Sequence, residues 1–199
     1  MARLVVFDME MGGLDPCRHS VLSLGAVIWQ DRQIIDSFEV FVREMEIVTE
    51  PAAMAVNKID IQWLQEHGCQ PSDAVHQFHD FLARHFGPLP GREKIILAGH
   101  NLHADIGFLG RLYGAAGLSH EPYFSHRVLD TASLLRFLYL AGRLPVASAG
   151  LGEALAHFGI ESASSARHTA LGDATLTAHL LNKLFDVIGL PAPETSEAG

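Results

Sequence analysis

The chain has 199 residues, 48% of them hydrophobic, and its 14 basic and 23 acidic residues give a formal net charge of −9. This length supports one domain with a substantial core and is too short for two domains of ordinary size. The acidic balance, with no basic stripe along the sequence, argues against a protein that follows long duplexes by neutralising phosphates, so any contact with nucleic acid should be local.

Three short apolar segments open the chain. Residues 3–9, 21–29 and 33–43 are rich in Val, Ile, Leu and Phe, and polar residues with Gly, Pro or Asp separate them. This pattern predicts three sequential strands. Because the links between them suit loops or turns, we expect the strands to pair as an antiparallel meander.

The pattern becomes helical after Pro51. Residues 72–87, SDAVHQFHDFLARHFG, carry apolar residues at helical spacing, with Ser72 as the predicted N-cap. The following KIILAG, residues 94–99, predicts a fourth strand. Before this helix, residues 52–68 suggest another helix with Trp63 anchored in the core, although a substrate contact by this stretch is also open.

Strands and helices alternate in the second half. The sequence predicts a helix over 106–114, a short strand at 126–130, helices at 131–141 and 151–159, a flexible loop at 142–150 between these two, and a long helix from about 170 to 188. Strands separated by helices favour parallel pairing. We therefore predict an α/β domain over residues 1–189, in which helices flank a mixed sheet of three antiparallel and then two parallel strands. Residues 190–199, rich in Pro, Glu and Ser, predict a disordered tail.

Cysteine content and hydropathy bear on location. Cys17 and Cys69 are too few for a disulfide framework, and the N-terminal stretch has neither a secretory leader nor a long apolar span. We expect a reduced, cytoplasmic protein without a membrane contact.

Two acids end the first predicted strand. Asp8 and Glu10 point to the same face because side chains alternate along a strand. Neighbouring carboxylates repel each other unless one is protonated or a cation lies between them, and Mg²⁺ is a typical cation for such a site. A solvated strand end with two charges is the alternative.

Two later stretches add acids in a similar setting. AGHNLHADIGFLGRL places Asp105 where the fourth strand passes into a helix. SARHTALGDATLTAHLL places His168 five positions before Asp173, with Asp173 inside the last helix and His168 at or before its start. Together the three stretches favour a metal site over a solvated strand end.

The three motifs resemble those of the DEDDh family of 3′→5′ exonucleases, the DnaQ-like group of the ribonuclease H-like superfamily. The family carries Asp-x-Glu, then an Asp after a His-Asn loop, then His-x-x-x-x-Asp. The corresponding stretches are Asp8-Met9-Glu10, residues 100–105 and residues 168–173. The order and spacing agree over roughly residues 4 to 185. The resemblance implies a ribonuclease H-like fold.

The resemblance also implies a set of site residues. Asp8, Glu10, Asp105 and Asp173 would hold two Mg²⁺ or Mn²⁺ ions, which stabilise the attacking and leaving oxygens of the phosphoryl group. His168 would be the general base, because imidazole titrates near neutral pH. Residues near the last nucleotide would be Met11, Leu14, Asn57 and Asn101, with ordinary loop packing as the alternative for Met11 and Leu14.

The expected substrates are 3′ ends of single-stranded DNA or RNA, released as 5′-mononucleotides. The choice between DNA and RNA stays open, because it rests on contacts to the 2′-hydroxyl that these motifs do not specify. Several relatives are homodimers, which makes a homodimer an expectation here. Two alternatives to a free-standing enzyme are a non-catalytic or proofreading-type subunit that docks a polymerase, and an inactive scaffold with this fold.

Overall fold

The computed structural model describes residues 3–145, 150–161 and 168–189. Within these residues five strands form one sheet in the order β3-β2-β1-β4-β5. The strands are β1 (Arg3–Met11), β2 (Val21–Gln30), β3 (Gln33–Phe41), β4 (Leu97–Gly99) and β5 (Leu129–Asp130). The helices are α1 (Pro51–Asn57), α2 (Ile61–His67), α3 (Pro71–Phe86), α4 (His103–Ala115), α5 (Thr131–Leu140), α6 (Leu151–His157) and α7 (Ala170–Val187).

The pairing confirms the predicted α/β fold and mixed sheet. β1 pairs antiparallel with β2, and β2 with β3. On its other edge β1 pairs parallel with β4, and β4 pairs parallel with β5. β1 is therefore the central strand, paired with β2 along its whole length and with β4 at Val5 and Val6.

Several local predictions were wrong. α3 begins at Pro71 with Gln70 as the N-cap, not at Ser72, because proline at the first helical position has its φ angle already set for a helix. Trp63 is 41% exposed and packs edge-on against Phe41 at a centroid distance of 4.9 Å, so it does not anchor α2 in the core.

The parallel strands are shorter than predicted, because β4 covers only residues 97–99 and β5 only 129–130. The predicted tail at 190–199 lies outside the described residues, as do residues 146–149 of the predicted loop at 142–150. The domain limits stay a prediction. Among the helices of the described ranges, none has both the length and the apolar character that a membrane span requires.

The two faces of β1 bury different layers. Val5, Phe7 and Met9 belong to the core cluster that includes residues of α3 and α4. Leu4 and Val6 belong to a second cluster that includes residues of α7. Because side chains alternate along the strand, the even-numbered acids Asp8 and Glu10 continue the face that α7 covers.

A glycine lets α7 approach this face closely. Gly25 of β2 lies opposite Asp8 in the antiparallel register, and a Cβ atom at position 25 would be 2.0 Å from the Leu171 nitrogen. The first turn of α7 therefore rests on the backbone of β2. Opposite Gly25 on β3, the Glu39 carboxylate accepts a hydrogen bond from the Leu171 N–H at 3.3 Å.

We expect Gly25→Ala to displace the start of α7, because a methyl group at this position overlaps its backbone. Overpacking of this kind costs about 1–3 kcal/mol of unfolding free energy, and the displaced helix should also weaken divalent-metal binding. Thermal unfolding with and without Mn²⁺ measures both effects.

Gly114→Ala is the matched control. A Cβ atom there meets nothing within 4 Å, and the residue lies in α4, so alanine should raise the unfolding free energy by up to about 1 kcal/mol. Equal stability effects for both variants would contradict the close approach of α7 at Gly25.

Candidate active site

Three carboxylates from two distant parts of the chain converge beside the end of β1. One oxygen each of Asp8, Glu10 and Asp173 lies within 4.8 Å of the others. Asp8 and Glu10 are half-buried, and Asp173 is buried. The sequence motifs paired these residues only by resemblance, and the fold now brings them together.

The start of α7 places Asp173 in this group. Thr169 is the N-cap, and its side chain accepts a hydrogen bond from the Gly172 N–H at 3.1 Å. Asp173 follows in the first turn, where the partial positive charge of the helix N-terminus favours a carboxylate. That partial charge is about half a unit, so it compensates only a small part of the negative charge of three carboxylates.

The donor set fits a hard divalent cation. Mg²⁺ and Mn²⁺ prefer carboxylate oxygens and complete their shells with water or phosphate oxygens, and all three side chains of the cluster offer such ligands. Soft-metal sites use thiolates instead, and this cluster contains none. Asp8, Glu10 and Asp173 are therefore suited to hold a hard divalent cation.

Asp105 lies outside this group of three but is hydrogen-bonded to β1, the strand that carries Asp8 and Glu10. It is buried in the first turn of α4, and its Oδ1 accepts a hydrogen bond from the Met9 N–H at 3.0 Å. The parallel ladder with β4 ends at Val6, so the Asp105 carboxylate serves as acceptor where β4 has stopped. The contact fixes Asp105 beside Met9, the residue between Asp8 and Glu10.

Burial raises the pKa of the Asp105 carboxyl to about 7. The charge of Asp130 adds to the rise in pKa, and the hydrogen bond from the Met9 backbone opposes it. A cation close to such a carboxyl favours its ionised form, which is the form that ligates metals.

His168 stands just ahead of α7, as predicted. It is half-buried and has a φ angle of 62°, a left-handed conformation that is uncommon for a residue with a side chain. Residues 162–167, directly before it, lie outside the described part of the chain. The imidazole therefore sits at the entry to the helix that carries Asp173.

The loop between β4 and Asp105 is tied to β5. The Thr131 hydroxyl donates to the Gly99 carbonyl at 3.0 Å, so the His100 Nδ1–H donates to Thr131 Oγ1 at 2.9 Å. Asn101 is exposed with a φ angle of 60°, and its N–H donates to Asp130 Oδ1 at 2.9 Å.

Sequence reasoning missed Asp130, which both caps α5 and holds the Asn101 backbone. Its signal was available, since an Asp directly before a helical run is a common N-cap.

The predicted nucleotide contacts differ in exposure. Leu14 is 87% exposed, whereas Met11 packs partly against the core. Asn57 is buried: its amide donates to the Met11 carbonyl at 3.1 Å and accepts from the Ile59 N–H at 3.1 Å. The Asn57 side chain thus supports the end of β1 from α1.

Comparison with known proteins finds similar sequences and structures over most of the chain. The family model for exonuclease, RNase T type, matches residues 5–181. DNA polymerase III of the PolC type from Pediococcus pentosaceus is 30% identical over 182 residues, which is 89% of this chain and 11% of the polymerase. The homologue from Halalkalibacterium halodurans is 29% identical over 90% of this chain and 11% of its own length. The chain thus spans about a tenth of these relatives.

Solved exonuclease structures share the fold. E. coli exonuclease I in complex with a dT13 oligonucleotide superposes with a TM-score of 0.77 at 15% identity, covering 93% of this chain and 41% of that one. Exonuclease I from Methylocaldum szegediense gives a TM-score of 0.69 at 19% identity, covering 94% of this chain and 43% of that one.

We expect Glu10→Gln to raise the melting temperature of the metal-free protein and to reduce its stabilisation by Mn²⁺. Removing one of three clustered charges relieves about 1 kcal/mol or more of repulsion, which corresponds to roughly 2–4 °C in a chain of this size. Saturating Mn²⁺ at a hundred times its Kd should stabilise the unchanged protein by about 2.7 kcal/mol.

The measurement is differential scanning calorimetry in EDTA and in Mn²⁺. Glu121→Gln, the same change at an exposed site, is the control and should leave both melting temperatures unchanged. A Glu10→Gln protein that Mn²⁺ stabilises fully would contradict the proposed ligand set.

Proposed function

This chain belongs to the exonuclease family whose model matches residues 5–181, and on that premise we propose that it is a metal-dependent 3′→5′ exonuclease acting on single-stranded DNA or RNA. The observation that carries the proposal is the convergence of Asp8, Glu10 and Asp173 within 4.8 Å. An anion-rich cluster of this kind suits phosphodiester hydrolysis, because divalent ions bound there would counter the charge of the scissile phosphate and act as Lewis acids.

The side chains divide the work. Asp8, Glu10 and Asp173 would hold Mg²⁺ or Mn²⁺, and Asp105 would join Asp8 at a second ion, giving two ions per site. The His168 imidazole accepts a proton from the attacking water. Water adds to phosphorus, the bond to the 3′-oxygen of the preceding nucleotide breaks, and that oxygen takes up a proton. The products are a 5′-mononucleotide and a strand one nucleotide shorter with a 3′-hydroxyl.

Substrate contacts are assigned by exposure. Leu14, in the loop after β1, and Asn101, in the loop between β4 and α4, are exposed, so we assign both to contacts with the terminal nucleotide. Met11 and Asn57 support the same strand end from within. The oligonucleotide in the E. coli exonuclease I structure supports a single-stranded substrate for this chain. A cytoplasmic location and a homodimer remain part of the proposal.

We expect the protein to shorten 5′-labelled single-stranded DNA and RNA one nucleotide at a time from the 3′ end in Mg²⁺ or Mn²⁺. EDTA should abolish this activity. His168→Ala should lower kcat by about 10²–10⁴-fold, the usual contribution of a general base. Time-resolved gel electrophoresis gives direction and rate, and the faster polymer identifies the preferred substrate.

His157→Ala is the matched control, because His157 is exposed on α6. It should digest at the unchanged rate. Intact oligonucleotides after incubation of folded, metal-loaded protein would contradict the proposed activity.

A proofreading-type subunit is the second candidate function. The identity of about 30% to PolC-type polymerases, over about a tenth of their length, favours it. If the chain serves a polymerase, affinity purification of the tagged full chain from its own cells should retain a polymerase subunit. The Glu10→Gln variant should retain it equally, because docking does not need metal. Recovery of the chain alone would favour the free-standing enzyme.

A further inference from the structure

A buried imidazole holds the segment that follows β1. His19 is 4% exposed, and its Nδ1 accepts a hydrogen bond from the Asp15 N–H at 3.1 Å. Because Nδ1 is an acceptor, the ring proton lies on Nε2, which is 3.1 Å from the Glu50 carboxylate and donates to it. His19 therefore links the loop at Asp15 to the residue that precedes α1.

Gly13 packs directly against this ring. A Cβ atom at position 13 would be 2.5 Å from His19 Nδ1 and 2.6 Å from its Cγ. Any side chain there would push the imidazole away from the Asp15 N–H. The glycine and the imidazole are thus matched in shape.

Backbone hydrogen bonds close the same loop. The Asp15 carbonyl accepts from the His19 N–H at 2.8 Å, and its Oδ1 accepts from the Cys17 N–H at 2.9 Å. Gly12 donates to the Ser20 carbonyl at 2.8 Å and accepts from the Glu50 N–H at 2.6 Å. Both sides of the loop are fixed to the body of the protein.

Leu14 lies between Gly13 and Asp15, and both of these neighbours contact His19. Leu14 is 87% exposed, although Gly13 and Asp15 on either side are held in place. A side chain presented from a fixed loop loses little conformational freedom when it binds, so more of its contact energy appears as affinity.

We propose that His19 is a positioning residue that acts through Leu14, so that the terminal nucleotide binds a preformed surface. This inference rests on the proposed exonuclease function. Loss of the hydrogen bond between Asp15 and His19 should weaken substrate binding in the ground state and in the transition state equally, because the loop must then be ordered on binding. It should therefore raise KM and leave kcat nearly unchanged.

The test compares His19→Asn with His19→Gln, using a single-stranded oligonucleotide. An asparagine amide can take the place of Nδ1 and accept from Asp15, whereas a glutamine amide takes the place of Nε2. We expect His19→Gln to raise KM by about ten-fold with kcat within about two-fold, and His19→Asn to stay within about three-fold of the original KM. Cys17→Ala, an exposed side chain in the same loop, is the control and should change neither constant.

A double-mutant cycle tests the route through Leu14. Leu14→Ala alone should raise KM, and His19→Gln should add little in the Leu14→Ala background, because coupled residues are not additive. Additive effects on KM would overturn the proposal. A His19→Gln protein with reduced kcat and unchanged KM would overturn it as well.

Amide hydrogen exchange gives a readout that does not need activity. Exchange at residues 12–16 should be faster in His19→Gln than in the original protein and in His19→Asn. If the original protein digests no oligonucleotide, the proposed function fails. Hydrogen exchange then still tests whether His19 holds the loop. If His19→Gln does not fold, Gly13→Ala, whose methyl group would push the ring away from the Asp15 N–H, disturbs the same hydrogen bond and should also accelerate exchange. Unchanged exchange in either variant would overturn the proposal.

Discussion

Electrostatic repulsion among three carboxylates is the constraint on which the arrangement of this molecule depends. Two like charges 4 Å apart repel by about 1 kcal/mol in water and by about 4 kcal/mol near a protein surface. A flexible chain would relieve this repulsion by separating Asp8, Glu10 and Asp173. The central position of β1 and the seating of α7 on Gly25 prevent that separation. The fold thus holds a set of ligands whose repulsion a cation relieves.

The sequence predicted those features that depend on local pattern. Strand alternation gave the common face of Asp8 and Glu10, and the alternation of strands and helices gave the mixed sheet. Features that depend on contacts between distant segments could not be predicted this way. In the sequence, Gly25 looks like any small residue in a strand, and only the fold shows that α7 lies across it. Trp63 is an apolar residue in a helical segment, yet its surroundings leave it 41% exposed.

Within the candidate site, the sequence indicates which residues occur there but not what each residue does. Resemblance selected Asn57 as a nucleotide contact, and the structure engages both ends of its amide with the backbone at Met11 and Ile59. Asp130, which no motif selected, holds the backbone of Asn101. Motifs identify residues that occur at a site, whereas hydrogen-bond partners decide whether a residue supports the site or faces the substrate.

The acidic character of the chain limits how a nucleic acid can be held. With a formal net charge of −9, the chain as a whole repels a phosphate backbone at long range, and counterion release can contribute only where bound ions or single basic residues lie. Under the proposed function the remaining affinity must come from short-range contacts at the 3′ end. An exposed Leu14 on the fixed loop that follows β1 offers such a contact. Substrate binding and hydrolysis then involve the same terminal nucleotide, which favours cleavage at the end of a strand over internal cleavage.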